Sequence, residues 1–378
     1  MTDPTLTGVP VPVPDASDLL APYDAVLLLS FGGPEAPDEV LPFLRRVTAG
    51  RGIPDERLEA VGRHYHLFGG RSPINDQNRS LIAAVEAELA GRDIHLPVLW
   101  GNRNSSPFLV DALRDAAQRG LHRLLVVSTS AYSCYSSCRQ YRENLADAVT
   151  TVQDEGHVVL VDKVGPYAGR PAFVDPNARL VLDALRVHMD VPDAELGLLF
   201  VTHSIPDAMD ETSGPGDGDG RLYQEQHHRL AMEVTARAAS ELGRDLPAEV
   251  VYCSRSGPPT QPWLEPDVND RLEELAEEGV TTVVVAPIGF VSDHMEVVYD
   301  LDTEARATAD RLGLTMTRVP TVGVDPGWVS GLVDLLLERA DEARGGPAPT
   351  GPGVRPSVCA PGCCPNLRTA RPALCGSD

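Results

Sequence analysis

The chain has no apolar run approaching the roughly 20 residues needed to span a bilayer, and only 5% of its 378 residues are aromatic. Its opening residues, MTDPTLTGVPVPVPDASD, carry neither the basic start nor the apolar stretch of a secretory signal. Positive charge is scarce as well: 32 Lys and Arg stand against 55 Asp and Glu, a formal net charge of -23. That balance argues against nucleic acid or an anionic membrane as the main partner, and any anionic substrate needs a local basic patch to overcome the overall field. These absences lead us to expect a soluble, cytoplasmic protein. Hydrophobic residues make up 42% of the chain, enough for two domains with a core each, so disorder is expected only near the ends.

Seven cysteines are present, and in a cytosolic chain they point to metal binding or redox chemistry before disulfides. Cys134 and Cys138 sit together, Cys253 stands alone, and Cys359, Cys363, Cys364 and Cys375 crowd the tail.

A Pro-rich leader (residues 1–23) precedes a first strand, Asp24–Phe31, whose unbroken apolar run suits a parallel strand buried on both faces. Further strands read at Leu96–Gly101, Arg123–Ser128 and Val158–Val161, then at Leu196–His203, Val250–Ser254, Thr281–Ile288 and Thr315–Val319. Helical patterns alternate with them, among them Asn75–Leu89, Ser136–Val152, Leu222–Leu242, His294–Leu312 and Trp328–Ala343. This alternation predicts an α/β protein of two similar doubly wound, Rossmann-like domains, residues 24–165 and 166–344, each with a parallel four-stranded sheet and a cleft between them. Chemistry in such sheets gathers at the carboxyl ends of the strands, which directs attention to Phe31, Ser128, His203, Ser254 and Pro287. Residues 345–378 are too rich in Gly and Pro for regular structure, and their cysteines give them a reason to fold back.

Four constellations carry possible chemistry. His203 ends a hydrophobic strand where Pro206 forces a turn, and an imidazole there serves as a base or a metal ligand; the blander use is a bond to backbone. Glu296, Asp300 and Glu304 follow at i, i+4 and i+8, which places three carboxylates along one helix face. Asp293, His294 and Asp302 add further donors, while a solvated acidic face is the commoner use of such a row. Arg45, Arg46, Arg51, Arg57, Arg63 and Arg71 stand out in an acidic chain and suit an anionic substrate, with surface pairs to Asp38, Glu39 and Glu56 as the alternative. In the tail, CAPGCC brings three thiols near one site, so a four-ligand cluster needs a fourth from Cys138 or Cys134. Tetrahedral zinc is the chemical rival. Cys253 reads as a buried core residue, and Gly214–Gly220 as a flexible connection without the spacing of a calcium loop.

From Asp24 to about Ala343 these segments resemble the ferrochelatase family, through LLLSFGGPE, FGGRSPIN, FVTHSIP, SRSGPPTQPWLEP (Ser254–Pro266) and GFVSDHMEVVYDLDTEA. The tail is similar to the cluster-bearing extension of actinobacterial members, whose bacterial relatives act on coproporphyrin III. The resemblance implies an enzyme that inserts Fe2+, with His203 and Glu296 as the pair at the metal and Asp300 and Glu304 continuing a row that guides iron or drains protons. It places Ser72 and Tyr141 where porphyrin propionates are held, and Phe31 where some relatives carry a tyrosine able to ligate the product's iron. It implies a [2Fe–2S] cluster on Cys138, Cys359, Cys363 and Cys364, with Cys134 and Cys375 as alternates. Coproporphyrin III and ferrous iron are then the partners of a monomer that makes at most transient contacts with other enzymes of heme synthesis. Protoporphyrin IX as substrate, another tetrapyrrole metal chelatase, and a non-catalytic carrier or iron–sulfur sensor are the alternatives.

Overall fold

The computed structural model describes residues 19–257, 260–351 and 353–377. Eight short strands form two sheets. Ala25–Ser30 (β1), Val98–Asn102 (β2), Arg123–Ser128 (β3) and Leu160–Lys163 (β4) pair in the order β2-β1-β3-β4. Leu196–His203 (β5), Glu249–Cys253 (β6), Thr282–Ala286 (β7) and Thr315–Arg318 (β8) repeat it as β6-β5-β7-β8. All pairings are parallel. β1 and β5, each an inner strand beside the equally internal β3 and β7, are buried along their length apart from the half-exposed His203, which is why both read as continuous apolar runs. The expected pair of parallel four-stranded sheets is the observed architecture.

Val40–Val47 (α1), Asp55–His66 (α2) and Ile74–Gly91 (α3) connect β1 to β2, and Leu109–Gln118 (α4), Gln140–Asp154 (α5) and Pro171–Arg186 (α6) make the next three crossovers. Asp207–Glu211 (α7) and Leu222–Leu242 (α8) follow β5, then Val268–Glu277 (α9), Met295–Tyr299 (α10), Arg306–Leu312 (α11) and Pro326–Ala343 (α12). Two of these helices give little sequence signal. α2 buries only Leu58 and Gly62, so it lacks an apolar stripe. α6 carries Pro176, a residue that normally interrupts a helix interior, yet its Phe173, Val174, Val181 and Leu185 are buried.

One apolar core runs continuously between the sheets and includes Leu20, Val127, Phe173, Phe200 and Trp328. α12 seals it by packing on both α3 and α6. Gly331 makes that approach possible, since a Cβ there would stand 2.5 Å from the Ala172 Cβ. The leader is shorter than expected at its inner end: Leu20 and Tyr23 are fully buried, and Arg344 holds the carbonyls of Leu19 and Ala21 at 2.8 and 2.6 Å. Residues 1–18 of that leader, and 258 and 259 of the Ser254–Pro266 stretch, lie outside the described residues.

The tail folds back against both halves. Gly165 and Gly169, after β4, abut the backbone of Arg355–Pro356 and Gly353, and Leu374 donates its N–H to the Arg142 carbonyl of α5 at 3.2 Å while its own carbonyl accepts from Arg142 Nε at 2.6 Å. Gly214, expected in a flexible connection, is instead tied to the tail: its N–H donates to Cys364 Sγ at 3.2 Å and its carbonyl accepts from the Cys364 N–H at 2.9 Å.

Candidate active site

β5 delivers His203 to the carboxyl edge of the second sheet. Its Nδ1 closes on the Ser204 carbonyl, which turns Nε2 toward Glu296, 3.5 Å from Oε1. The backbone beneath is fixed by a residue the sequence did not single out. Tyr223 on α8 donates its hydroxyl to the His203 carbonyl at 2.8 Å and accepts from Thr202 Oγ1 at the same distance. Glu296 lies in the first turn of α10, where the His294 ring caps the helix by accepting the Glu296 N–H at 3.2 Å.

Burial opposes charge on His203, but the Glu296 carboxylate outweighs it and the imidazole pKa rises to about 8. Burial likewise favours the neutral Glu296, and His203 and then His294 reverse it, taking the carboxyl down to about 2. Asp300 differs. Burial raises it to about 7, the Ser254 hydroxyl pulls back, and Glu296 adds repulsion. Ser254 follows β6 with φ +64°, a left-handed conformation uncommon outside glycine, and that turn aims its hydroxyl at Asp300. The site therefore joins an imidazole–carboxylate pair to a carboxyl that titrates near neutrality.

The expected straight helix from His294 to Leu312 is broken. Asp300–Ala305 form a π-helical stretch between α10 and α11, and Thr303 Oγ1 bonds the carbonyl of Val298, five residues back. A π turn is wider than an α turn and recurs at functional sites. The carboxylate row is thus bent: Asp300 points inward to Ser254, while Glu304 is exposed beside the Tyr299 hydroxyl. Asp293 and Asp302, expected as extra donors, are both engaged by Arg318 of β8, at 3.0 and 2.8 Å. An arginine fork consumes their oxygens.

The first sheet supplies the facing wall. Phe31, just past β1, packs edge-on against Phe43 at 6.0 Å, and Phe43 lies 6.0 Å from Tyr65. Burial raises the Tyr65 hydroxyl pKa, and Glu296 and Asp300 raise it further, so the aromatic row ends in the field of the carboxylates. His64 of α2 stacks on Tyr299 of α10 at 3.9 Å, joining the two halves across the cleft. Ser72 is buried beneath the SFGGP turn, its N–H on the Pro34 carbonyl at 2.9 Å. Tyr141 is buried with the Arg103 guanidinium 4.5 Å above its ring. Among the early arginines, Arg45 pairs with Asp55 at 2.6 Å, Arg71 with Asp76 at 2.5 Å, and Arg46 Nε donates to the Asn104 carbonyl at 2.8 Å. Asp38, Glu39 and Glu56, the expected partners, take none of these three.

A separate group of thiols forms where the tail meets α5. Cys138, Cys359 and Cys363 lie close enough to shift one another's ionisation, and Cys363 Sγ lies 3.9 Å from Cys364 Sγ. The neighbouring thiols, with Arg142 and Lys163 nearby, hold the Cys359 pKa down against burial. Cys134 is taken by the Ser136 and Ser137 hydroxyls at 3.3 Å, and Cys375 faces the Val161 carbonyl at 3.7 Å with its pKa pushed up to about 11 by burial. Among the described residues no group of three or more His, Cys, Asp or Glu is spaced to hold a single metal ion. Cys253 is buried in the core of the second sheet.

Known proteins match this arrangement along nearly its whole length. The ferrochelatase family profile covers residues 23–340. The coproporphyrin III ferrochelatase of Streptomyces coelicolor is 51% identical over 374 residues, covering 97% of this chain and 99% of its own. That of Streptomyces griseus is 50% identical, covering 95% and 97%, and that of Leifsonia xyli is 50% identical, covering 94% of each. With two parallel sheets, a histidine–carboxylate pair between them and this degree of identity, the chain belongs to the ferrochelatase family and is a metal chelatase.

Proposed function

We propose that the protein inserts ferrous iron into coproporphyrin III. The reading is carried by the His203 Nε2 to Glu296 Oε1 approach of 3.5 Å at the carboxyl edge of the second sheet. Insertion requires the loss of two pyrrole protons and the delivery of a dication. Glu296, ionised down to about pH 2, supplies the negative charge that attracts Fe2+. Iron arriving there replaces the imidazolium as counter-charge, so His203 gives up its proton to Asp300 and its Nε2 then accepts the two pyrrole protons one after the other. Asp300, titrating near 7, relays each of these protons toward exposed Glu304 and water. The relatives' common name supports the choice of porphyrin. Anaerobic titration with Fe2+ should convert coproporphyrin III to its iron complex, and His203→Ala should lose about 10²-fold or more in turnover. Wild-type turnover in that variant would remove the histidine from the chemistry.

The thiol group supports a [2Fe–2S] cluster on Cys138, Cys359, Cys363 and Cys364. Four sulfur donors lie near one another, with Cys363 and Cys364 in contact, two cations stand beside them, and both alternates are engaged elsewhere. Such a cluster would supply a covalent tie between the tail and the Tyr135–Arg139 turn that leads into α5, since metal insertion transfers no electrons. No helix among the described residues is long and apolar enough to cross a membrane, and we place the enzyme in the cytoplasm.

A further inference from the structure

Glu296 reaches His203 from a short connection, residues 287–294, that runs from the carboxyl end of β7 to α10. The placement of that connection decides whether the 3.5 Å approach of carboxylate and imidazole exists. Part of its support comes from β5. The Gly289 N–H donates to the Val201 carbonyl at 3.1 Å, and a Cβ on Gly289 would stand 2.2 Å from Thr202 Oγ1. Further support comes from the first half of the chain, at both ends of residues 288–293. Tyr132, in the loop after β3, donates its buried hydroxyl to the Ile288 carbonyl at 2.7 Å. Gln77 of α3 accepts the Asp293 N–H on its Oε1 at 2.8 Å.

Tyr132 also reaches the histidine arm. Its ring stacks on His227 of α8 at 3.6 Å and meets Tyr223 edge-on at 6.1 Å. Tyr223 is the residue whose hydroxyl donates to the His203 carbonyl. The stack is locked in place: His227 Nδ1 donates to the Tyr223 carbonyl at 2.7 Å, and the Ser133 N–H donates to Gln226 Oε1 at 2.8 Å. One phenol thus touches the supports of both members of the pair. A buried carbonyl is costly to leave unpaired, so the hydroxyl fixes the backbone at Ile288. We propose that Tyr132 and Gln77 are positioning residues for metal insertion: from the first half they hold the connection that carries Glu296, and so set its carboxylate against His203. They act through Glu296 and transfer no proton themselves. The inference rests on the role given above to the His203–Glu296 pair.

The test is steady-state insertion of Fe2+ at saturating coproporphyrin III by the full chain, with active sites counted by porphyrin binding. Tyr132→Phe keeps the ring and its stacking and removes only the hydroxyl, and Gln77→Leu removes the acceptor. Each should raise the KM for Fe2+ and lower kcat per site, with kcat/KM down about tenfold or more, the scale of a small misplacement at a reacting centre. The Kd for the porphyrin should stay at the wild-type value. Tyr167→Phe controls for lost stability, because it strips a buried hydroxyl of equal length, 2.7 Å, from the Ser128 carbonyl; it should keep the wild-type KM. Added to Glu296→Gln, Tyr132→Phe should raise the KM no further, since two changes that act through one group do not add. A wild-type KM for Fe2+ in Tyr132→Phe or Gln77→Leu would overturn the assignment of that residue. An equal rise in Tyr167→Phe, a further rise on the Glu296→Gln background, or a loss confined to porphyrin Kd would overturn the proposal as a whole. Wild-type KM and kcat in Glu296→Gln itself would instead overturn the reading of the pair on which it rests.

Discussion

At His203 and Glu296 two opposite shifts describe one ion pair. The histidine pKa is raised to about 8 from 6.5, so its stabilising contribution is complete below about 6.5 and is lost as pH rises through 8. The Glu296 pKa is depressed from 4.5 to about 2, so its contribution is present above 4.5 and is lost as pH falls through 2. In the proposed mechanism turnover needs the opposite state of the histidine, the neutral ring that accepts a proton. We therefore expect kcat/KM for Fe2+ to rise with pH through a midpoint near 8. Glu296→Gln removes the charge that holds the histidine proton, so the midpoint should fall by about one pH unit or more while kcat drops about 10²-fold or more. A pH profile whose midpoint does not move in that variant would show that the pair is not coupled in solution. Both residues were legible in the sequence, one at a strand end and one in a patterned acidic stretch. Their supports were not. Tyr223 lies 20 residues from His203 and meets it only when α8 packs on β5, and Arg318 shows its claim on Asp293 and Asp302 only when β8 is in place.

Among the elements, the strands were read within a few residues because buried parallel strands are unbroken apolar runs. α6 escaped because Pro176 argues locally against a helix that tertiary burial nevertheless forms. The regular i, i+4, i+8 acidic spacing suggested an α-helix, and nothing in it signals the π stretch at Asp300–Ala305, which turns Asp300 onto Ser254. The tail was legible only through its cysteines. The proposed ligand set gives a direct expectation: protein purified without oxygen should hold about two irons and two sulfides per chain for this cluster type. Cys138→Ser should lose both, whereas Cys134→Ser should retain them, since Cys134 is bonded to neighbouring serines. Stoichiometric zinc without sulfide, or the reverse pattern in the two variants, would reject that assignment.

On the scale of the whole molecule, α12 belongs by sequence to the second half yet packs on α3 of the first, which fixes the two sheets around the cleft. It comes close against α6 at Gly331. Alanine there gains up to about 1 kcal/mol of helix propensity, but its Cβ would meet the Ala172 Cβ at 2.5 Å and its Cα at 2.8 Å. Overpacking against a helix costs about 1–3 kcal/mol and cannot be relieved by a flexible side chain, so Gly331→Ala should be net destabilising in denaturant unfolding. An unchanged or raised midpoint would mean that the helices can part at little cost.

The central claim is that this cleft selects coproporphyrin III for iron insertion. Its most direct test offers the enzyme equal concentrations of coproporphyrin III and protoporphyrin IX with limiting Fe2+ under anaerobic conditions, and separates the two iron porphyrins by chromatography. Their ratio at early times is the ratio of kcat/KM values. The account predicts that the coproporphyrin product dominates by at least about tenfold, the loss expected for one missing charge-assisted carboxylate contact. An equal mixture, or an excess of the protoporphyrin product, would contradict it.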